Sequence, residues 1–140
     1  MIVIDTNVLL RYLLRDDVDQ AEKAANVING NLVVLISNVV LVETLWTLCG
    51  KKYRITQDEV VSTVQALFAE PNLVFEQAQT VWRALGDYIA VNEGGKGKVD
   101  FPDALILNIG RDAAKSSDRS FNGFYTFDKA ALRLPDAIAP

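Results

Sequence analysis

Apolar residues in this chain fall into two kinds of run. Short unbroken blocks, "IVID" at 2–5, "LVVLIS" at 32–37, "LVFE" at 73–76 and "FYTF" at 124–127, have the length and β-branched character of buried strands. Between them, apolar residues recur every three or four positions. "TNVLLRYLLR" at 6–15 reads as a helix, and Ala21, Ala24, Ala25 and Ile28 mark a second. "VVLVETLWTLC" at 39–49 predicts a third, and Val60, Val61, Val64, Leu67 and Phe68 a fourth. Ala78, Val81, Trp82, Leu85 and Ile89 share one face of a fifth; roughly 102–115 forms a sixth, and a short helix is expected at 128–133.

The punctuation fits this division. Asp17 with Gln20, and "TQDE" at 56–59, have capping-box spacing. Ser37 or Asn38 suits a helix start, Gly30 and Gly50 suit helix ends, and Pro102 suits a first turn. "NEGGKGK" at 92–98 and "SSDRSFNG" at 116–123 are loops, and "AIA" near the end is a candidate edge strand. Strands alternate with helices and no hairpin signal occurs. The expected fold class is therefore α/β, with a mostly parallel sheet of four or five strands under helices on both faces. No repeat or linker divides residues 1–140, so a single domain is expected.

Composition narrows the chemistry. Half of the 140 residues are hydrophobic and 23% are charged, as in ordinary globular proteins. The first apolar run is broken at Asp5 and Arg11, and no apolar stretch reaches the roughly 18–20 residues of a membrane span. With one cysteine, Cys49, a reducing cytoplasmic setting is expected. The net charge of −4 argues against holding nucleic acid by bulk charge; such a partner would need basic patches or a cation at an acidic site. There is no histidine. Ser-His-Asp and Cys-His catalysis and the usual zinc sites are thereby excluded, leaving carboxylates, Lys, Tyr, hydroxyls or a hard metal held by oxygen.

The acids fall where α/β sheets collect function, at the carboxyl ends of strands. Asp5 closes the first strand and Asp128 the fourth. Glu43 lies about one turn into the helix after the second strand. Asp103 occupies the first turn of the sixth helix, with Asp100 just before it. Each has a plainer role: Asp5 and Asp128 suit helix caps, Glu43 a solvated face, Asp103 the positive end of a helix dipole, and Asp100 a loop. Convergence is harder to explain by caps, because two carboxylates about 4 Å apart repel by roughly 4 kcal/mol at an effective dielectric near 20. A cation relieves that repulsion, and all-oxygen ligation selects Mg²⁺ or Mn²⁺.

The motifs "VIDTNVLL", "SNVVLVETLW", "VDFPDALILNIGRDAA" and "FYTFDKAALRLP" resemble those of PIN-domain proteins, in order and over nearly the whole chain. Within that family the resemblance is to VapC-type toxins of toxin–antitoxin pairs. It implies a three-layer α/β/α sandwich and a metal-dependent endoribonuclease. The family's acidic quartet, which binds Mg²⁺ or Mn²⁺ and is catalytic, falls on Asp5, Glu43, Asp103 and Asp128. Thr6, Asn7, Asp100 and Thr126 match its supporting positions. Asn38 stands where many members have proline, and "EGGKGK" at 93–98 is less typical. The resemblance further implies an RNA substrate, a homodimer and inhibition by a cognate antitoxin. The apolar face of "VLLRYLL" at 8–14, with Arg11 and Arg15, offers a place for an apolar helix carrying acids, although ordinary core packing with surface arginines is the plainer role for most of those leucines.

A metal lowers the pKa of bound water, so 5′-phosphate and 3′-hydroxyl products are expected. For RNA contact, "KKYR" places Lys51, Lys52 and Arg54 around Tyr53, a ring able to stack on a base. Lys96, Lys98, Arg111, Lys115, Lys129 and Arg133 lie near the acidic motifs in sequence, although solvated surface is the plainer role for each. Two rival functions share the acids. An aspartate phosphotransfer domain needs an acidic pair after the first strand or a D-x-D pattern, and "DTN" has neither. A non-cleaving PIN-like module would bind RNA or protein without hydrolysis.

Overall fold

The computed structural model describes residues 1–95 and 98–140. The chain divides into two compact units, Met1–Gln77 and Ala78–Pro140.

The first unit holds β1 (Ile2–Val3), α1 (Thr6–Leu14), α2 (Val18–Ile28), β2 (Val34–Ile36), α3 (Asn38–Cys49), α4 (Gln57–Ala69) and β3 (Leu73–Phe75). The three strands pair in the order β1-β2-β3, all parallel, with Ile2 opposite Val34 and Val34 opposite Leu73. β1 is shorter than the sequence suggests. Asp5 is already the N-cap of α1, so the ladder stops before it. α1 ends at Arg15, which takes the left-handed conformation at φ 52° and donates its N–H to the Arg11 carbonyl. The capping box at Thr56 and Glu59 is complete. The one expected at Asp17 is only half made: Asp17 accepts from the Gln20 N–H, but the Gln20 side chain instead accepts from Arg11 Nε at 2.7 Å. Gly50 does close α3, with φ −68° and ψ −179°, an extended conformation rather than the left-handed one.

The core of this unit is aliphatic. Leu9, Ile28, Val34, Ile36, Leu41, Leu45, Val60, Val64 and Leu67 are buried. α3 is apolar on more than one side. Val40, Leu41, Leu45 and Leu48 face inward, whereas Val39 and Trp46 are 65% and 73% exposed.

The second unit holds α5 (Ala78–Asn92), α6 (Phe101–Ser116), β4 (Phe124–Tyr125), a 3₁₀ turn (Ala131–Arg133) and β5 (Ala137–Ile138). β4 and β5 are parallel, Phe124 opposite Ala137. The "AIA" segment is thus a strand, and the helix expected at 128–133 contracts to the 3₁₀ turn. The five strands among the described residues pair in parallel throughout, as a PIN-like α/β/α fold requires, in one ladder of three strands and one of two. Two-residue strands such as β1 and β4 carry few ladder bonds, so short runs leave the pairing to tertiary context.

Polar ties join α5 to α6. Asp112 accepts from Thr80 and from Arg83. Asp87 accepts from Asn108 at 2.8 Å and from Arg111 at 3.2 Å, and Arg111 also pairs with Asp136 at 2.6 Å. Gly123, at φ +122°, enters β4 where a Cβ would lie 2.5 Å from Ile138 Cδ1, so only glycine fits.

Thr44 is fully buried and its hydroxyl has no hydrogen-bond partner among the described residues. An unpaired buried hydroxyl costs about 1–3 kcal/mol. Thr44→Val keeps the shape and removes that group. Thermal or denaturant melts are expected to show a gain of about 1 kcal/mol; equal or lower stability would mean that the hydroxyl is satisfied in solution.

Candidate active site

The acidic residues lie within the two units as two groups. In the first, Asp5 follows β1 in extended conformation and Oδ1 accepts the Val8 N–H at 2.9 Å. It is therefore a helix cap, as its plainer role requires. That bond occupies one carboxylate oxygen; Oδ2 takes no hydrogen bond among the described residues. The next residue, Thr6, donates its hydroxyl to Glu43 Oε2 at 2.5 Å. Glu43 stands on α3, which starts at the end of β2. Ser37 caps that helix, accepting the Val40 N–H at 3.3 Å. Two adjacent parallel strands thus deliver one acid directly and a second through a threonine beside the first. Glu43 is exposed, but it is not merely solvated, because Thr6 fixes its direction.

In the second unit, Asp100 is the N-cap of α6 and Pro102 occupies its first turn. The Asp100 side chain makes no cap hydrogen bond. Asp103, one turn further on, is half-buried. Its carboxyl is raised above the ordinary 3.8 by burial first, then by the charges of Asp128 and Asp100. Asp128 follows β4. Its Oδ1 accepts the Ala130 N–H at 2.8 Å, and its own N–H donates to Thr126 Oγ1 at 3.0 Å. Thr126 therefore orients the backbone at Asp128, and Asp128 serves as a turn-capping residue while repelling Asp103.

Asp16, Asp19, Asp87, Asp112 and Asp136 are each ion-paired to Arg or Lys. Among the described residues, Asp5, Glu43, Asp100, Asp103 and Asp128 have no cation within 4.0 Å. Glu76, which sequence reasoning left unassigned at the end of β3, serves as a remote cap and accepts the Asn38 N–H at 2.7 Å. An acid closing a strand was the only signal for it. No group of three or more Cys, Asp or Glu side chains among the described residues is arranged to hold a metal ion. In donor chemistry the unpaired acids still fit a hard divalent cation: all are carboxylates, and around Asp103 they carry a repulsion that a cation relieves.

The remaining expected contacts have local partners. Lys52 lies over the Tyr53 ring at 5.1 Å, the Tyr53 hydroxyl faces Asp16 Oδ2 at 3.5 Å, and Arg54 Nε donates to the Lys51 carbonyl. Arg111 is held by Asp87 and Asp136, and Arg133 donates to the Val91 carbonyl, so both serve the fold. Lys98 is exposed, and Lys96 lies outside the described residues. Asn7 lines a groove of about 280 Å³ with Asp5, Val8, Arg11, Ala24 and Val27. Leu9 and Leu10 are buried in the core, the plainer role expected for most leucines of this segment. No helix among the described residues is long and apolar enough to cross a membrane.

A carboxyl raised by folding makes the folded chain bind a proton that the unfolded chain has released, so stability falls as pH rises above the ordinary aspartate range. Asp103→Asn removes that penalty. The variant is expected to melt above the unsubstituted protein at pH 7, with the difference shrinking as pH falls to about 4 and below. A difference independent of pH between 4 and 7 would contradict the electrostatic origin.

Compared with known proteins, residues 2–116 match the family model described as PIN domain. No curated protein matches the sequence.

Proposed function

This chain belongs to the PIN domain family, a nuclease-type α/β domain that is usually metal-dependent, and on that premise we propose that it is a Mg²⁺- or Mn²⁺-dependent endoribonuclease of the VapC toxin kind. Asp5, Glu43, Asp103 and Asp128 would hold one or two such ions, directly or through water, and are the proposed catalytic set, with Thr6, Asn7, Asp100 and Thr126 in support. The observation that carries the reading is how these acids are held: the Val8 N–H fixes Asp5, the Thr6 hydroxyl fixes Glu43 and the Ala130 N–H fixes Asp128, while Asp103 is half-buried beside the charges of Asp128 and Asp100, and none of the four has a cation within 4.0 Å among the described residues.

Bound to such acids, a divalent ion lowers the pKa of water and offsets charge on the transferring phosphoryl group. The chain's own residues do the rest. Asp5 is fixed by the Val8 N–H, Glu43 by the Thr6 hydroxyl, and Asp128 by the Ala130 N–H. Each spends one oxygen on orientation and keeps another for the ion. With no histidine, hydrolysis by water is favoured over attack by the RNA 2′-hydroxyl, giving 5′-phosphate and 3′-hydroxyl ends.

Two partners complete the reading. A cognate antitoxin segment with small apolar side chains suits the groove beside Asp5, whose lining includes Val8, Ala24 and Val27. A second copy suits the outer face of α3, where Val39, Val42 and Trp46 stand at i, i+3 and i+7. A helix apolar on both sides is the pattern of one covered on both sides.

Purified protein, free of any partner, is to be incubated with single-stranded and structured RNA in Mg²⁺, Mn²⁺ or EDTA, and the new ends mapped. Cleavage only with metal, leaving 5′-phosphates, is expected; cyclic phosphates, cleavage in EDTA, or RNA binding without cleavage would overturn the proposal. Asp5→Asn preserves the cap, since asparagine caps as well as aspartate, but removes the charge. It is expected to stay folded and lose at least about 100-fold in activity, beyond what loss of a supporting contact costs. For the dimer, Trp46→Glu is expected to shift the mass measured by light scattering to that of one chain. An unchanged mass would remove α3 from the interface.

A further inference from the structure

One side chain closes the connection between α5 and α6. Asn92, the last residue of α5, is only 9% exposed and uses its whole amide. Its Oδ1 accepts the Val99 N–H, and its Nδ2 donates to the carbonyls of Val99 and Tyr88, each at 3.0 Å. With Val99 it reproduces the reciprocal pair of bonds that two antiparallel strand residues exchange. The amide has one workable orientation, because reversing it would set N–H against N–H.

The clamp acts on the start of α6. Val99 and Phe101 are 1% and 3% exposed, and the Phe101 ring packs edge-on against Tyr88 at 5.9 Å. Tyr88 is also the residue whose carbonyl Asn92 holds. Asp100 lies between two buried anchors and is exposed. As the N-cap of α6 it could bond the helix's own N–H groups, yet its carboxylate does not. The Asp103 N–H donates to the Asp100 carbonyl at 3.2 Å, which carries the same register into the first turn. Gly94 and Gly95, both at positive φ, follow Asn92 on the way to this point and have no side chain to fix it. The buried amide supplies what the glycines do not.

We propose that Asn92 is a positioning residue for Asp100 and Asp103, setting through Val99 the register at which α6 presents both carboxylates to a divalent ion. The inference rests on the metal-dependent reading above. Supporting groups of metal ligands typically change affinity by about 10–100-fold when removed, and the lower end is expected here because Asn92 acts through backbone.

Mn²⁺ binding is to be measured by calorimetry without RNA for the unsubstituted chain, Asn92→Ala, Asn92→Asp and Val81→Ala. Asn92→Asp is isosteric; it keeps the bond from the Val99 N–H and loses both donated bonds, while its added negative charge would by itself favour the cation. Val81→Ala, a fully buried α5 position, controls for lost stability alone. Both Asn92 variants are expected to bind Mn²⁺ about 10-fold more weakly, with Val81→Ala unchanged within about 2-fold. In an Asp103→Asn background, Asn92→Asp is expected to add little. A folded Asn92→Asp that binds as the unsubstituted chain does would overturn the inference, and so would equal weakening by Val81→Ala. An unsubstituted chain that binds no Mn²⁺ would instead overturn the metal-dependent reading, and this inference with it. Should neither Asn92 variant fold, amide exchange on the unsubstituted chain decides: the Val99 N–H is expected to be as protected as the α6 interior, and exchange at an open-loop rate is the contrary result.

Discussion

Wherever this chain passes from strand or loop into helix, the first-turn N–H groups of the helix must find acceptors. Asp5, Asp17, Ser37 and Thr56 each supply one from the N-cap position, and Glu76 supplies one to α3 from a different strand. Because parallel strands end on the same side, the caps of α1 and α3 gather at one end of the three-stranded ladder. Two of the candidate acids grow out of this obligation. Asp5 meets it with one oxygen and keeps the other; Glu43 rides on a helix whose start is fixed by it. Asp100 occupies a cap position and declines it, which leaves a charged group at the positive end of α6 for another use.

Charges are then sorted by partner. The aspartates that tie helices together meet arginines: Asp112 with Arg83, Asp87 and Asp136 with Arg111. Such half-exposed pairs contribute modestly each, but they set which faces of α5 and α6 meet. Asp5, Glu43, Asp100, Asp103 and Asp128 have no cation within 4.0 Å among the described residues, as is true of several other surface acids. Around Asp103 this arrangement is unfavourable in the absence of a cation, and the raised carboxyl records it. Such a repulsion weakens the fold around Asp103.

Rigidity follows the same division. The aliphatic interior of Met1–Gln77 fixes α1 and α3, so the Thr6–Glu43 bond joins two well-packed helices. In Ala78–Pro140 the strands are two residues long, and polar clamps do more of the fixing: Asn92 at the start of α6, Arg111 on the segment that enters β5, and Gly123 where β4 must pass Ile138.

Hydrophobic period and turn chemistry determined most of the elements. Among the described residues, six α-helices and five strands stand close to where the runs place them, because burying an apolar stripe or block is a local property of sequence. The acids, the caps at Asp5 and Thr56 and the exclusion of histidine chemistry were legible for the same reason: each depends on residue type and near neighbours. What only tertiary structure decided are pairings between residues distant along the chain. Gln20 leaves its capping box for Arg11; Glu43 turns toward Thr6 across 37 positions; Arg111 is claimed by two aspartates; Leu9 and Leu10 go to the core; five strands form two ladders. Local pattern fixes which groups need a partner, but several candidates satisfy the need equally, and the choice belongs to whichever lies within about 3 Å once the helices have packed.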